Sequence, residues 1–435
     1  MLFHNPLFLL FFLPLVFVFY FVVLKKKKLS QKYLLIAASF IFYAAWNIKF
    51  SFLIITTILV NYIFGVKIIS STNERKKNIF LTVAIFFNVL FLAFFKYSDF
   101  IIENINYLFD LNLNLLNLPF PLALSFVTFQ TIAFLVDCYD KNISYINLRK
   151  YALFISFFPQ LIAGPIVRYG HMIEQFEDNK NSLINYKNIY IGLIIIAIGL
   201  MKKVLIADNI SVFVDQGFSA QEELSFFEGW LTSLGFTFQI YFDFSGYVDM
   251  ATGIALLFNI NLPANFNSPF KATGMINFWQ RWHITLSNFL TNYIYYPLSR
   301  SFADLTFSKS MFVTMVVFLV AGLWHGPSWM FVIFGALHGL GLIVNHSFNK
   351  FFLLNLNKLF CRFLTFNYVS FTLIFFRAQD LESAFSIIKA MTNITNFNYV
   401  INFDIPTISL IAFAFAFVIC FMFQNTHYII TQLRK

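Results

Sequence analysis

The sequence predicts an all-α, polytopic membrane protein of about ten or eleven spans, and three observations predict it. Hydrophobic residues fill 59% of the 435 positions and charged ones only 11%, with a mean hydropathy of +0.73, a balance foreign to a soluble fold of this length. Apolar runs recur along the whole chain and short clusters of Lys and Arg punctuate them. Several runs are interrupted by Gly and Pro, so re-entrant or broken helices are expected among the spans. The formal charge of +10 reads as loop charge facing the cytoplasm and anionic lipid, not as a nucleic-acid surface. Cys138, Cys361 and Cys420 are isolated and odd in number, so neither a disulfide framework nor a metal cluster follows from them.

Taken in order, the first apolar run is Leu7 to Leu24, with no Lys or Arg before it and Lys25 to Lys28 directly after. A secretory signal carries its positive charge first, so this is a retained span with the N-terminus outside and the lysines in the cytoplasm. Tyr33 to Trp46 and Phe50 to Ser70 follow, and Glu74, Arg75, Lys76 and Lys77 mark the next cytoplasmic turn. Ile79 to Phe95 leads to the basic-poor outer segment Lys96 to Leu118, and Leu122 to Val136 returns to a loop holding Lys141, Arg149 and Lys150. Tyr151 to Ala163 is short and ends in Gly164 and Pro165, which fits a re-entrant hairpin or a buried half-helix. Arg168 to Lys187 reads as an amphipathic surface segment, and Ile189 to Met201 as a short run whose direction is open. Leu231 to Phe242 and Ala251 to Leu262 flank DFSGYVD, placing Asp243 and Asp249 near membrane depth with Arg168, Arg281 or a histidine as expected partners. Phe363 to Phe376 and Ile408 to Phe423 are the last spans, and His427 to Lys435 is a basic, cytoplasmic tail. No internal repeat or soluble domain is visible, so residues 1–435 are read as one membrane domain with a motif-bearing core at 151–346.

The chemistry concentrates in Ala272 to Asn345. Met311 to Trp324 is 14 apolar or small residues, roughly 21 Å of helix, short of the about 30 Å of a hydrocarbon core. Gly326, able to adopt a left-handed conformation, and Pro327 then end the helix, so His325 lies at a helix C-terminus below the far surface, with Ser328 capping the next helix. Upstream, Trp279, Trp282, His283 and Ser287 recur at helical spacing, with His283 and Ser287 on one face. Arg281 among them requires a carboxylate, a phosphate or water. Of the seven histidines, His4, His171, His346 and His427 read as solvated or interfacial, and His338 as a packed histidine bonded to backbone or a neighbour. His325 reads as functional because helix breakers adjoin it, while His283 divides evenly between function and structure. There is no phosphate cradle, no serine nucleophile elbow and no metal-ligand spacing strong enough to commit to, although three membrane histidines leave a metal open. Without more, an enzyme, a transporter and a scaffold all remain open.

FFPQLIAGPIVRY (157–169), QIYFDFSGYVDMATG (239–253), NFWQRWHITLS (277–287), GLWHG (322–326) and FFRAQDLESAF (375–385) together resemble the membrane-bound O-acyltransferases. The resemblance is nearest to the bacterial branch that O-acetylates alginate and peptidoglycan, and runs from the N-terminus to about Ala390. It implies transfer of an acyl group, acetyl first, from a cytoplasmic thioester to a hydroxyl on the outer side. Acetyl-CoA is the implied donor, with an acylated carrier protein next, and no cofactor is held tightly. The family's catalytic histidine maps onto His325 and its second histidine onto His283. The resemblance further implies that His325 takes a proton from the acceptor while His283 positions the thioester or polarises its carbonyl. Trp279, Arg281, Trp282, Ser287, Trp324, Asp243, Asp249 and Arg168 are the substrate-binding candidates, with no metal. Implied partners are a periplasmic or surface transferase and a cell-envelope polysaccharide, peptidoglycan before alginate, in the bacterial inner membrane.

Overall fold

The structure, a computed structural model, describes residues 3–25, 27–220, 223–352, 356–393 and 405–435; Lys26 of the first lysine cluster lies outside them. Every regular element among the described residues is a helix. Six are long and apolar enough to cross a bilayer, or seven if Thr407–Met422 and Thr426–Arg434, bent by 56°, are one span. The membrane class holds, with fewer long apolar helices than the ten or eleven expected. Two physical reasons account for the difference. Some apolar runs are short helices, Phe8–Val23 (α1) and Leu124–Tyr139 (α5). Others are halves of one helix, since Leu231 to Phe242 and the first part of the Ala251 to Leu262 run, as far as Leu257, belong to a single 32-residue element.

The described residues form two compact units, one of residues 1–196 and 250–263, the other of 197–249 and 264–435. In the first, α1, α2 (Lys28–Ala44), α3 (Ile48–Ser70), α4 (Glu74–Phe109) and α5 are followed by α6 (Leu148–Ser156), α7 (Phe158–Leu161) and α8 (Tyr169–Glu177). Asn61 and Asn88 exchange amide hydrogen bonds of 3.1 and 2.6 Å between α3 and α4, fixing their register where a lone amide would be costly. The expected half-helix after Tyr151 is α6, broken before Pro159. Its freed backbone groups are satisfied by side chains: Phe158 N–H donates to Ser39 Oγ at 3.0 Å, and Gln160 Nε2 donates to the Phe154 carbonyl at 2.7 Å. Helix α9 (Tyr186–Phe218) does not stop at Lys202 and Lys203 as Ile189 to Met201 suggested, but continues through a π-helical turn at Met201–Ala207.

The second unit receives the end of α9 and most of α10 (Phe226–Leu257). It continues with α11 (Met275–Trp279), α12 (Ile284–Leu290), a π turn and α13 (Tyr296–Arg300). The hairpin α14 (Phe307–His325) and α15 (Trp329–Phe351) follows, then α16 (Lys358–Arg377), α17 (Leu381–Thr392), α18 (Thr407–Met422) and α19 (Thr426–Arg434). Helices α14 and α15 pack at Gly322 and Gly335, where a Cβ on either would collide with a backbone carbonyl of the other helix. The carboxylates of α10 meet lysines of α9, not the arginines or histidines expected. Lys202 pairs with Asp249 at 2.6 Å and donates to Thr426 Oγ1 at 2.9 Å, and Lys203 pairs with Asp243 at 2.6 Å.

Candidate active site

Helix α14 ends at His325 because Gly326 is extended, at φ −166° and ψ 159°, and Pro327 follows. The left-handed turn expected at Gly326 is absent; glycine is required because the Phe331 ring occupies the place of a Cβ. Ser328 caps α15 as expected, its Oγ accepting from Met330 N–H at 3.2 Å. His325 is half-buried within an aromatic wall, with ring centroids 4.9 Å from Trp324, 5.1 Å from Phe376 and 5.8 Å from Phe334.

The second imidazole is placed by a turn, not by a helix. The helix expected through Trp279 to Ser287 is broken between α11 and α12, and His283, at φ 43° and ψ 53°, is the left-handed N-cap of α12. The segment at Asn265 to Asn267 clasps this turn. Ile284 N–H donates to the Asn265 carbonyl, and Asn267 N–H to the Arg281 carbonyl, both at 2.9 Å. Arg281 adds Nη1 to the Asn267 carbonyl at 3.1 Å and Nε to Asn277 Oδ1 at 3.0 Å, so carbonyl and amide oxygens take the role expected of a carboxylate or phosphate. Ser287 Oγ donates to the Trp279 carbonyl at 2.9 Å, closing the broken helix.

His283 is 2% exposed and packs edge-on against Phe244 at 4.9 Å and Trp324 at 6.3 Å. Trp324 therefore touches both imidazoles. Burial, and then the charge His325 would carry, push His283 down to about 3, so it is neutral at ordinary pH. Its Nδ1 lies 3.2 Å from Asn265 Oδ1, an oxygen that also accepts from Thr285 N–H at 3.1 Å and Thr285 Oγ1 at 2.9 Å.

His338 is the packed histidine the sequence suggested. Trp279 Nε1 donates to its Nδ1 at 3.2 Å, and Thr372 Oγ1, which donates to the Val369 carbonyl at 2.8 Å, accepts from its Nε2 at 2.8 Å. Trp279 is thereby a buried strut against Phe318, and Trp282 stacks on Phe278 at 5.7 Å. Asp243 and Asp249 are ion-paired to α9, and Arg168, exposed at the start of α8, belongs to the other unit. Beside the Lys202 and Asp249 pair lies a cavity of about 260 Å³ lined by Met201, Tyr241, Phe270, Cys420 and Phe423, with neither imidazole on its wall.

The structure thus brings together His325, Trp324 and His283. It adds Asn265, Thr285, Phe244, Phe334 and Phe376, which sequence reasoning missed; Asn265 is one of four asparagines in the loop 258–268, and nothing in the sequence singles it out. Among the described residues no group of three His, Cys, Asp or Glu is placed to hold a metal ion. Two neutral-capable imidazoles sharing one indole suit proton transfer to and from an oxygen or sulfur.

Residues 40–415 match the family model described as MBOAT, membrane-bound O-acyltransferase. The chain is 43% identical over 425 residues to the peptidoglycan O-acetyltransferase of Helicobacter pylori, covering 91% of this chain and 80% of that protein. It is 32% identical over 400 residues to the "Probable alginate O-acetylase AlgI" of Pseudomonas aeruginosa, covering 90% and 75%. A teichoic acid D-alanyltransferase of Streptococcus thermophilus is 26% identical over 240 residues, 52% of this chain and 57% of that one.

Proposed function

The chain belongs to the membrane-bound O-acyltransferase family and is an O-acyltransferase, and from that premise we propose that it moves an acetyl group from cytoplasmic acetyl-CoA to a hydroxyl on the outer side. The final acceptor in this reading is a cell-envelope polysaccharide, peptidoglycan first and an alginate-like glycan next, reached with a separate extracytoplasmic transferase. The name and 43% identity of the Helicobacter pylori relative support peptidoglycan. The membrane in this reading is the bacterial inner membrane, with the N-terminus outside and the C-terminus cytoplasmic. An acyltransferase family leaves no role for the pure carrier that the sequence alone kept open.

The observation that carries the mechanism is the pair of imidazoles joined by Trp324 where α14 ends. In this reading His325 accepts the proton of the acceptor hydroxyl as its oxygen attacks the thioester carbonyl. The carbon–sulfur bond then breaks, and the departing thiolate takes up the proton that His325 accepted, restoring the neutral imidazole. His283 positions the reacting groups beside it. Neutral His283 imposes no charge repulsion on a protonated His325 formed during the step. The test is acetyl transfer by His325→Ala and His283→Gln variants with confirmed membrane insertion: a loss of about 100-fold or more in each supports the assignment. Near-normal transfer by His325→Ala would end it.

A further inference from the structure

We propose that Asn265 is a positioning residue for the acyl-transfer site, its side-chain oxygen holding His283 in the tautomer with the proton on Nδ1 and the lone pair on Nε2. This rests on the reading of His283 as part of that site. The orientation of the amide is fixed by its neighbours. Thr285 N–H meets one atom of the Asn265 amide at 3.1 Å and the Thr285 hydroxyl meets the same atom at 2.9 Å. A backbone N–H only donates, so that atom is the carbonyl oxygen and not the NH2 group. Facing the same oxygen at 3.2 Å, His283 Nδ1 bonds only as a donor. In a neutral imidazole the other nitrogen is then the base.

Two further features fit an asparagine kept for its oxygen. Its Nδ2 is buried with no hydrogen-bond partner, a cost that an apolar residue of similar shape would not carry. The left-handed backbone at His283 brings the 283 side chain and the 285 N–H and hydroxyl onto one acceptor. The chemical consequence is a choice of substrate group. A lone pair on Nε2 accepts a hydrogen bond from a hydroxyl or thiol and cannot donate one to a carbonyl, so His283 orients a proton-bearing group and does not polarise the thioester. Among the groups facing His283 are His325 and Trp324 from α14 and Phe244 from α10; Asp243, next to Phe244, is turned to Lys203, and Arg281 to Asn277 and Asn267.

The test is 15N-histidine NMR of the full-length protein in bilayers, with His283 assigned by the signal lost in His283→Gln. It is joined by acetyl transfer from acetyl-CoA to de-O-acetylated peptidoglycan fragments. The expected result is an unprotonated Nε2 in the unaltered protein, mixed tautomers in Asn265→Ala, and transfer lowered about 100-fold. Asn265→Asp keeps the acceptor but adds a charge, so it raises the proton affinity of His283 and moves the acid limb of the rate towards neutral pH. Asn265→Leu, an apolar residue of similar size that also removes the acceptor, shifts the tautomer ratio in the same direction and serves if Asn265→Ala does not fold. An unprotonated Nδ1 in the unaltered protein overturns the proposal. So does an Asn265→Leu or Asn265→Ala protein whose tautomer and rate stay within about twofold of the original. If the unaltered protein transfers no acetyl even in native membranes that carry its extracytoplasmic transferase, the acyl-transfer reading fails while the NMR still decides the tautomer.

Discussion

His338 and His325 lie on neighbouring helices and differ in burial, the first fully enclosed and the second half-buried. His338 is spent on structure, with an indole N–H on one nitrogen and a threonine hydroxyl on the other. Replacing it by Ala leaves a buried indole N–H without its acceptor, so His338→Ala lowers stability by about 1–3 kcal/mol. His325→Ala, half-buried and cut at a helix end, should lower the thermal midpoint by less; a larger drop than for His338→Ala would mean that the two roles are exchanged. His283 gives a pH prediction whose sign follows from its depressed affinity. The unfolded imidazole takes a proton near 6.5 and the folded one only near 3, so the unfolded state binds more protons between them. Its contribution is therefore fully present above about pH 6.5 and is lost as the pH falls towards 3. Melting temperatures should fall less steeply across that window in His283→Gln than in the unaltered chain, and parallel curves would refute the assignment. His325 was legible because helix breakers adjoin it in an apolar run. Asn265 was not, since its partners lie 18 and 20 residues further on and no periodicity reports a loop that returns to a turn.

At the scale of elements, the α14–α15 hairpin sets where His325 stands. Gly335 has the Phe318 carbonyl against it and Gly322 close by, so Gly335→Ala must part the two helices. The expected cost is about 1–3 kcal/mol of stability together with a loss of transfer larger than that instability explains. Unchanged activity and melting would show that the close packing is dispensable. The end of α14 was readable from Gly326 and Pro327, but its start was not. Thr306 caps the helix at Phe307, so a polar turn that reads as loop is the first helical turn. The continuity of α10 was hidden for a related reason. DFSGYVD reads as a break because two aspartates in a membrane helix are costly alone, and the lysines that satisfy them lie on α9, 40 and 47 residues earlier.

For the molecule as a whole, composition and charge spacing were enough for the class, because an apolar excess of this size has few solutions other than membrane helices. They were not enough for the number of crossings, which depends on which apolar runs join and which are buried short helices. The proposed orientation follows from the lysines after α1 and the basic-poor segment after α4. In spheroplasts, a cysteine-free chain carrying Asn112→Cys should react with an impermeant thiol reagent, and one carrying Lys28→Cys should react only after permeabilisation. The opposite pattern would invert the topology and, with it, the side from which the thioester enters.

The most direct test of the acyl-transfer account is the passage of labelled acetyl from acetyl-CoA to an acceptor across sealed vesicles containing the purified protein or its His325→Ala variant. The account predicts label on a hydroxyl of the acceptor on the side opposite the donor, with the intact histidine only. Equal labelling by the two proteins, or intact acetyl-CoA crossing both equally, would contradict it and return His325 to the packing of the α14 terminus.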